Sequence, residues 1–136
     1  MTSKNIDKVA VTVKNRQVID GETDIISERG NGTIRCKNGV YFIMYKTESD
    51  TVMIKLDKDV VNVRRTGSSS SDIEYKIGKK TEFLYNTPYG AINMEIYTKS
   101  VQWDFSETVG KIRLVYDFYA GGGDCIKNDM QIEIRH

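Results

Sequence analysis

The sequence predicts an all-β protein, an antiparallel up-and-down barrel of about 8 to 10 strands. Three observations predict it. Apolar and polar residues alternate with period two through most of the 136 residues, turn-forming residues recur about every 8 to 12 positions, and no stretch carries a helical period. Sequential hairpins build a meander, and closing it removes the strand edges that would otherwise invite aggregation. On pattern alone a two-sheet sandwich is the alternative.

Val9, Val11 and Val13 alternate with Lys8, Ala10, Thr12 and Lys14, so the opening strand runs toward Ile19 and turns at Asp20-Gly21. A second strand is expected through Ile25 and Ile26, resuming at Thr33 to Cys36 after a bulge or bend at Gly30 and Gly32. Asn38-Gly39 marks a tight hairpin, because both residues tolerate the positive φ of a type I′ turn. The next strand is Val40 to Thr47. Thr51–Leu56 and Val60–Arg65 flank the turn cluster Asp57-Lys58-Asp59, and Gly67 to Ser71 reads as a loop. Ile73, Tyr75 and Ile77 precede a turn at Gly78 to Lys80, and Phe83 and Tyr85 precede another at Thr87 to Gly90. Three apolar rows follow, Ile92 to Thr98, Trp103 with Phe105, and Ile112 to Phe118. After a loop at Gly121 to Gly123, Met130, Ile132 and Ile134 close the chain.

The length fits one domain, residues 1–136, with one core. A composition of 39% hydrophobic and 29% charged residues with a single proline is that of a globular protein. The formal net charge is +1 and the signs mix along the chain, which predicts neither nucleic-acid nor anionic-membrane binding. The longest apolar run, Val40 to Met44, is far below the roughly 20 residues of a membrane helix. The polar stretch Met1 to Asp7 lacks the pattern of a secretory signal, so cytoplasmic residence is expected, with Cys36 and Cys125 as free thiols.

Catalytic chemistry is not legible. The single histidine, His136, is the last residue and is expected to be frayed and exposed, with no Ser-His-Asp or Cys-His set around it. Cys36, Cys125 and His136 have no zinc-motif spacing, and no cofactor or metal is expected. Gly121 to Gly123 lacks the strand-to-helix context of a phosphate loop. Glu74, Glu95 and Asp104 oppose the apolar rows and read as solvated.

Several segments in order resemble one family. They are the Asn38-Gly39 hairpin with Tyr41 to Tyr45, the run Val63-Arg64-Arg65-Thr66-Gly67, Tyr85 to Gly90, Met94 to Thr98, and Gly110 to Tyr116. Together they resemble the YwiB-like proteins of bacteria. The resemblance implies a calycin-like, lipocalin-related barrel and no activity, since that family has none established. One departure is that Lys46 and Thr47 stand before Glu48, onto which no role is carried.

Arg65 is the anomaly in the pattern. It shares parity with Val61 and Val63 and should face the interior, where a guanidinium needs a carboxylate, backbone carbonyls, water or a bound anion. Tyr41, Tyr45, Tyr75, Tyr85, Thr98 and Tyr116 fall on the same inward rows. The site read from this pattern is Arg65, Tyr45, Tyr85, Thr98, Trp103 and Tyr116. It would hold a small amphipathic or anionic molecule, with its tail along Val63, Ile92, Met94, Trp103 and Leu114. The bland reading is an arginine folded over the barrel end and tyrosines that fill the core. A filled barrel would instead serve as an interaction or assembly module through Tyr89, Tyr97 and Tyr119.

Overall fold

A computed structural model describes residues 7–106, 108–120 and 124–136. Residues 1–6, 107 and 121–123, on which the expected glycine loop falls, lie outside the described residues. The chain forms ten strands: β1 (Asp7–Ile19), β2 (Glu22–Lys37), β3 (Val40–Lys46), β4 (Asp50–Asp57), β5 (Val60–Gly67), β6 (Ser71–Lys76), β7 (Lys80–Thr87), β8 (Gly90–Phe105), β9 (Val109–Ala120) and β10 (Asp124–Arg135). All belong to one antiparallel sheet in the order β6-β5-β4-β3-β2-β1-β10-β9-β8-β7. Every neighbour is sequential except β1 with β10, which is the order of an up-and-down meander bent into a nearly closed barrel.

The seam lies between β6 and β7. Ser70 and Asn86 bridge it at one end through paired backbone bonds of 3.0 and 2.9 Å. At the other, Gly78 N–H donates to the Thr98 carbonyl at 2.8 Å and Thr98 N–H to the Lys79 carbonyl at 3.2 Å. The end holding the β1–β2, β3–β4, β5–β6 and β7–β8 connections is termed upper here, and the other end lower.

Three expectations are corrected. β2 runs unbroken from Glu22 to Lys37, with no bulge at Gly30 or Gly32. The irregularity sits in β8, where the register on β9 shifts between Thr98 and Ser100, leaving Lys99 as the extra residue. A bulge reverses parity. Even positions through Thr98 and odd positions from Val101 therefore both face inward, and two apparent strands are one. Ile77 lies beyond β6 and is exposed. The Asn38-Gly39 turn is as expected, with φ of 55° and 80°.

The lumen is graded along its length. At the lower end Tyr41, Trp103 and Phe105 pack together, with ring centroids 4.6 to 5.7 Å apart. An aliphatic layer that includes Val11, Ile43, Ile54, Ile112, Leu114 and Ile134 follows, each side chain almost wholly covered. Above it polar and charged side chains join apolar ones in the lining.

Candidate functional site

The inward row of β5 carries Arg65 to the upper end, as parity required. Its Nη1 donates to Asp50 Oδ2 at 2.8 Å and its Nη2 to Glu28 Oε1 at 2.7 Å. Tyr45 O–H donates to the same Glu28 oxygen at 2.9 Å. Asp50 Oδ1 accepts from the Ser68 N–H at 2.8 Å and the Ser68 hydroxyl at 3.0 Å. One cation thus joins β2, β4 and β5, and Ser68 ties in the loop to β6.

Each position follows from strand alternation. Asp50 shares its row with Val52, Ile54 and Leu56, and Glu28 shares its row with Ile34. Each places a carboxylate on an inward row. Burial alone would raise the Asp50 pKa, but the hydrogen bonds from Arg65 and Ser68 hold it below the usual carboxylate range. Burial would lower that of Arg65, but Glu28 and Asp50 raise it. Burial, then Glu28, raises the Tyr45 hydroxyl well above a free phenol. The cluster thus joins one guanidinium to two carboxyl side chains.

A neutral polar layer lies on the opposite wall. Thr98, Tyr116, Asn128 and Gln17 form one cross-strand row over β8, β9, β10 and β1. Asn15 Nδ2 and Gln17 Nε2 each donate to Asn128 Oδ1 at 3.0 Å. Tyr75 meets Tyr116 edge to face, with ring centroids 4.9 Å apart. Burial raises both hydroxyls. Asn15 Oδ1 and Thr98 Oγ1 have no hydrogen-bond partner among the described residues.

The six residues read from sequence therefore divide. Arg65 and Tyr45 meet through Glu28. Tyr116 and Thr98 adjoin in the neutral layer, where Thr98 also seals the seam through its backbone. Tyr85 is half-buried at the upper end. Trp103 lies at the lower end, where its Nε1–H donates to the Lys58 carbonyl at 2.6 Å, so it is not part of the same site. Glu28 and Asp50 were missed, though the same parity that singled out Arg65 marks both. The guanidinium offered to an anion is already held by two carboxylates. His136 is exposed, yet its N–H donates to the Thr108 carbonyl at 3.1 Å instead of fraying. The described residues hold no group of three His, Cys, Asp or Glu placed to bind a metal, and Cys36 and Cys125 are exposed free thiols.

Fold and site together define a ten-stranded antiparallel barrel, plugged at one end and crossed at the other by an internal ion-pair cluster. The chain belongs to the family described as Domain of unknown function (DUF1934), whose model matches residues 11–132. It is similar to the uncharacterized beta-barrel protein YwiB of Bacillus subtilis (strain 168), with 27% identity over 117 residues, 82% of each chain. The crystal structure of ywiB protein from Bacillus subtilis superposes with a TM-score of 0.87 at 24% identity, over 97% of this chain and 93% of that one, and bears on the fold alone.

Proposed function

We propose that this chain is a non-catalytic binding protein that takes a small amphipathic molecule at the upper mouth of its barrel. The observation that carries this reading is a gradient of exposure along the inward rows. On β5, Val61 is wholly covered while Val63 above it is half-buried; on β8, Ile96 is wholly covered while Ile92 is 45% exposed. Ile73, Tyr85, Met94 and Phe118 are partly covered on the same rows. Apolar side chains that face a lumen yet stay open to solvent offer surface for a ligand's apolar part to cover. Because Arg65 is committed to Glu28 and Asp50, the ligand's head is uncharged or cationic on this reading, not an anion. A calycin-like ancestry and cytoplasmic residence belong to the same proposal, the latter supported by the two free thiols.

Freshly purified protein is expected to take up a neutral apolar fluorophore such as Nile red. Tyr85→Ser combined with Ile92→Ser is expected to weaken uptake about tenfold, from the lost apolar contact, with the far-ultraviolet spectrum unchanged. Native mass spectrometry of the same preparation would reveal a retained molecule. A wild-type protein that takes up no probe at any concentration rejects the proposal.

A second reading, an assembly module with a filled barrel, has its own support. The middle lumen is packed with side chains of nearly zero exposure, and a groove of about 620 Å³ lies on the outer wall along Glu82, Leu84, Asn93, Glu95 and Tyr119. On that reading the mass in solution rises with concentration, and Tyr119→Ser, in the groove itself, abolishes the rise.

A further inference from the structure

We infer that the outer wall formed by β1 to β4 is a binding face for single-stranded nucleic acid. The inference is independent of the mouth and rests on how charge is distributed over the outside of the barrel. Residues alternating with buried Val9, Val11 and Val13 point outward from β1, and among them are Lys8, Lys14 and Arg16, all exposed. On β2 the outward row, alternating with inward Gly30 and Ile34, includes Arg29, Arg35 and Lys37, also exposed. Lys46 ends β3, and Lys55 lies between covered Ile54 and Leu56 on β4.

Among the described outward positions of these four strands, Asp57 is the single acidic residue, at the lower edge. None of these cations has a carboxylate within ion-pair distance among the described residues. Elsewhere on the outer wall the pairs Arg64–Asp72, Lys99–Asp117, Arg113–Asp129 and Arg135–Glu133 neutralise one another. A chain with a net charge of only +1 therefore carries one wall that is positive apart from Asp57. Such a field attracts polyanions and releases their counterions.

The register shows that the face is continuous. Arg35, Phe42 and Lys55 stand directly opposite one another across β2, β3 and β4, and Lys8, Thr33, Met44 and Met53 form the adjoining row from β1. The Arg35 guanidinium lies over the Phe42 ring at 5.3 Å and the Lys55 ammonium at 6.0 Å from its centroid, so the ring draws both cations together on this face. Phe42, Met44 and Met53 supply apolar contact for bases. Thr12, Asn31, Thr33 and Thr51 interleave with the cations and can donate to phosphate and sugar oxygens.

Shape favours a flexible strand over a lipid surface. From Lys8 to Arg16 the face extends about 26 Å along β1; it curves round four strands spaced about 4.8 Å apart in its lower part, where Asn31–Lys37 pair β3, and continues upward on β1 and β2. A flat bilayer touches a convex wall along a line, whereas a single strand follows the curve. The central apolar residues Phe42 and Met44 are half-buried, and the exposed apolar residues Met53 and Ile25 stand apart on β4 and β2, not in one wedge.

The test is fluorescence anisotropy of the full chain with a labelled oligothymidylate of about 20 nucleotides, titrated over a salt series. Binding is expected at low salt, with a log–log slope of about −2 to −4, corresponding to a few phosphates at about −0.7 each. Arg35→Glu with Lys55→Glu is expected to weaken binding tenfold or more and to flatten the slope by about one. Arg35→Gln with Lys55→Gln should act in the same direction if the charge reversal disturbs folding. Lys80→Glu with Lys111→Glu, exposed cations of the opposite wall, should leave affinity within twofold. The inference is overturned by absence of binding at low salt, by equal losses from the two walls, or by co-sedimentation with phosphatidylserine vesicles without oligonucleotide binding.

Discussion

Gly32→Ala is expected to destabilise the protein by roughly 3 kcal/mol or more, lowering its thermal midpoint by on the order of 10 °C. A Cβ at Gly32 would overlap the Met44 carbonyl oxygen and stand 2.7 Å from both the Met44 carbonyl carbon and the Tyr45 Cα. These are backbone atoms of β3, which is paired to β2 on one side and β4 on the other, so they cannot swing aside as a side chain would. Relief requires β2 and β3 to separate where Gly32 faces Tyr45, and that shift pulls the Tyr45 hydroxyl from Glu28. Gly39→Ala provides the contrast. Its added methyl meets nothing within 4 Å, and only its φ of +80° is unfavourable, a cost of about 1 kcal/mol. Urea midpoints of the two variants separate close approach from backbone conformation. A Gly32→Ala protein as stable as Gly39→Ala would remove the close-approach argument.

Gly32 also shows where sequence reading stops. Glycine within an alternating strand is consistent with a bulge, a bend or a close neighbour, and only the partner strand decides which. The β8 bulge was hidden for a related reason. Ile92 to Thr98 and Trp103 to Phe105 are apolar rows of opposite parity, and a gap between two strands explains that reversal as well as one extra residue does. Arg65 was legible because parity is local: its orientation followed from Val61 and Val63 alone. Its partners Glu28 and Asp50 lie 37 and 15 residues away, and pairing them with Arg65 needs the fold of the sheet. Trp103 lay on an inward row as expected, but the sequence does not say at which end of the cylinder it sits. Charge was the least legible property. Mixed signs along a strand become separated by face when alternate residues point opposite ways, so Lys14 and Arg16 stand with Arg35 and Lys55 on one wall despite a near-neutral chain.

Asp50→Ala should cost about 2 to 3 kcal/mol at neutral pH. Three donors lose an acceptor at once: Arg65 Nη1, the Ser68 hydroxyl and the Ser68 N–H, which keeps only a longer 3.4 Å bond to the Ser49 carbonyl. The Asp50 side chain is only 7% exposed, so water does not readily replace it. Arg65 keeps Glu28 and is itself 24% exposed, which places the cost below that of orphaning a buried charge. The pH dependence has a definite sign. The folded-state pKa of Asp50 is held below its ordinary 3.8 by Arg65 and Ser68. Its contribution is therefore fully present above that ordinary value and is lost as pH falls through the folded one. The stability gap between wild type and Asp50→Asn should be widest from neutral pH down to about 4 and narrow below it; a gap that stays constant on acidification would show that the Asp50 charge is not what Arg65 and Ser68 hold. Arg64→Met supplies the control one residue away. Arg64 points outward and pairs with Asp72 at 61% and 50% side-chain exposure, so its loss should change stability by no more than about 0.5 kcal/mol. An outward Arg64 whose loss costs several-fold less than the loss of inward Asp50 is what a barrel with alternating inner and outer rows demands, and a cost for Arg64→Met equal to that of Asp50→Ala would contradict it.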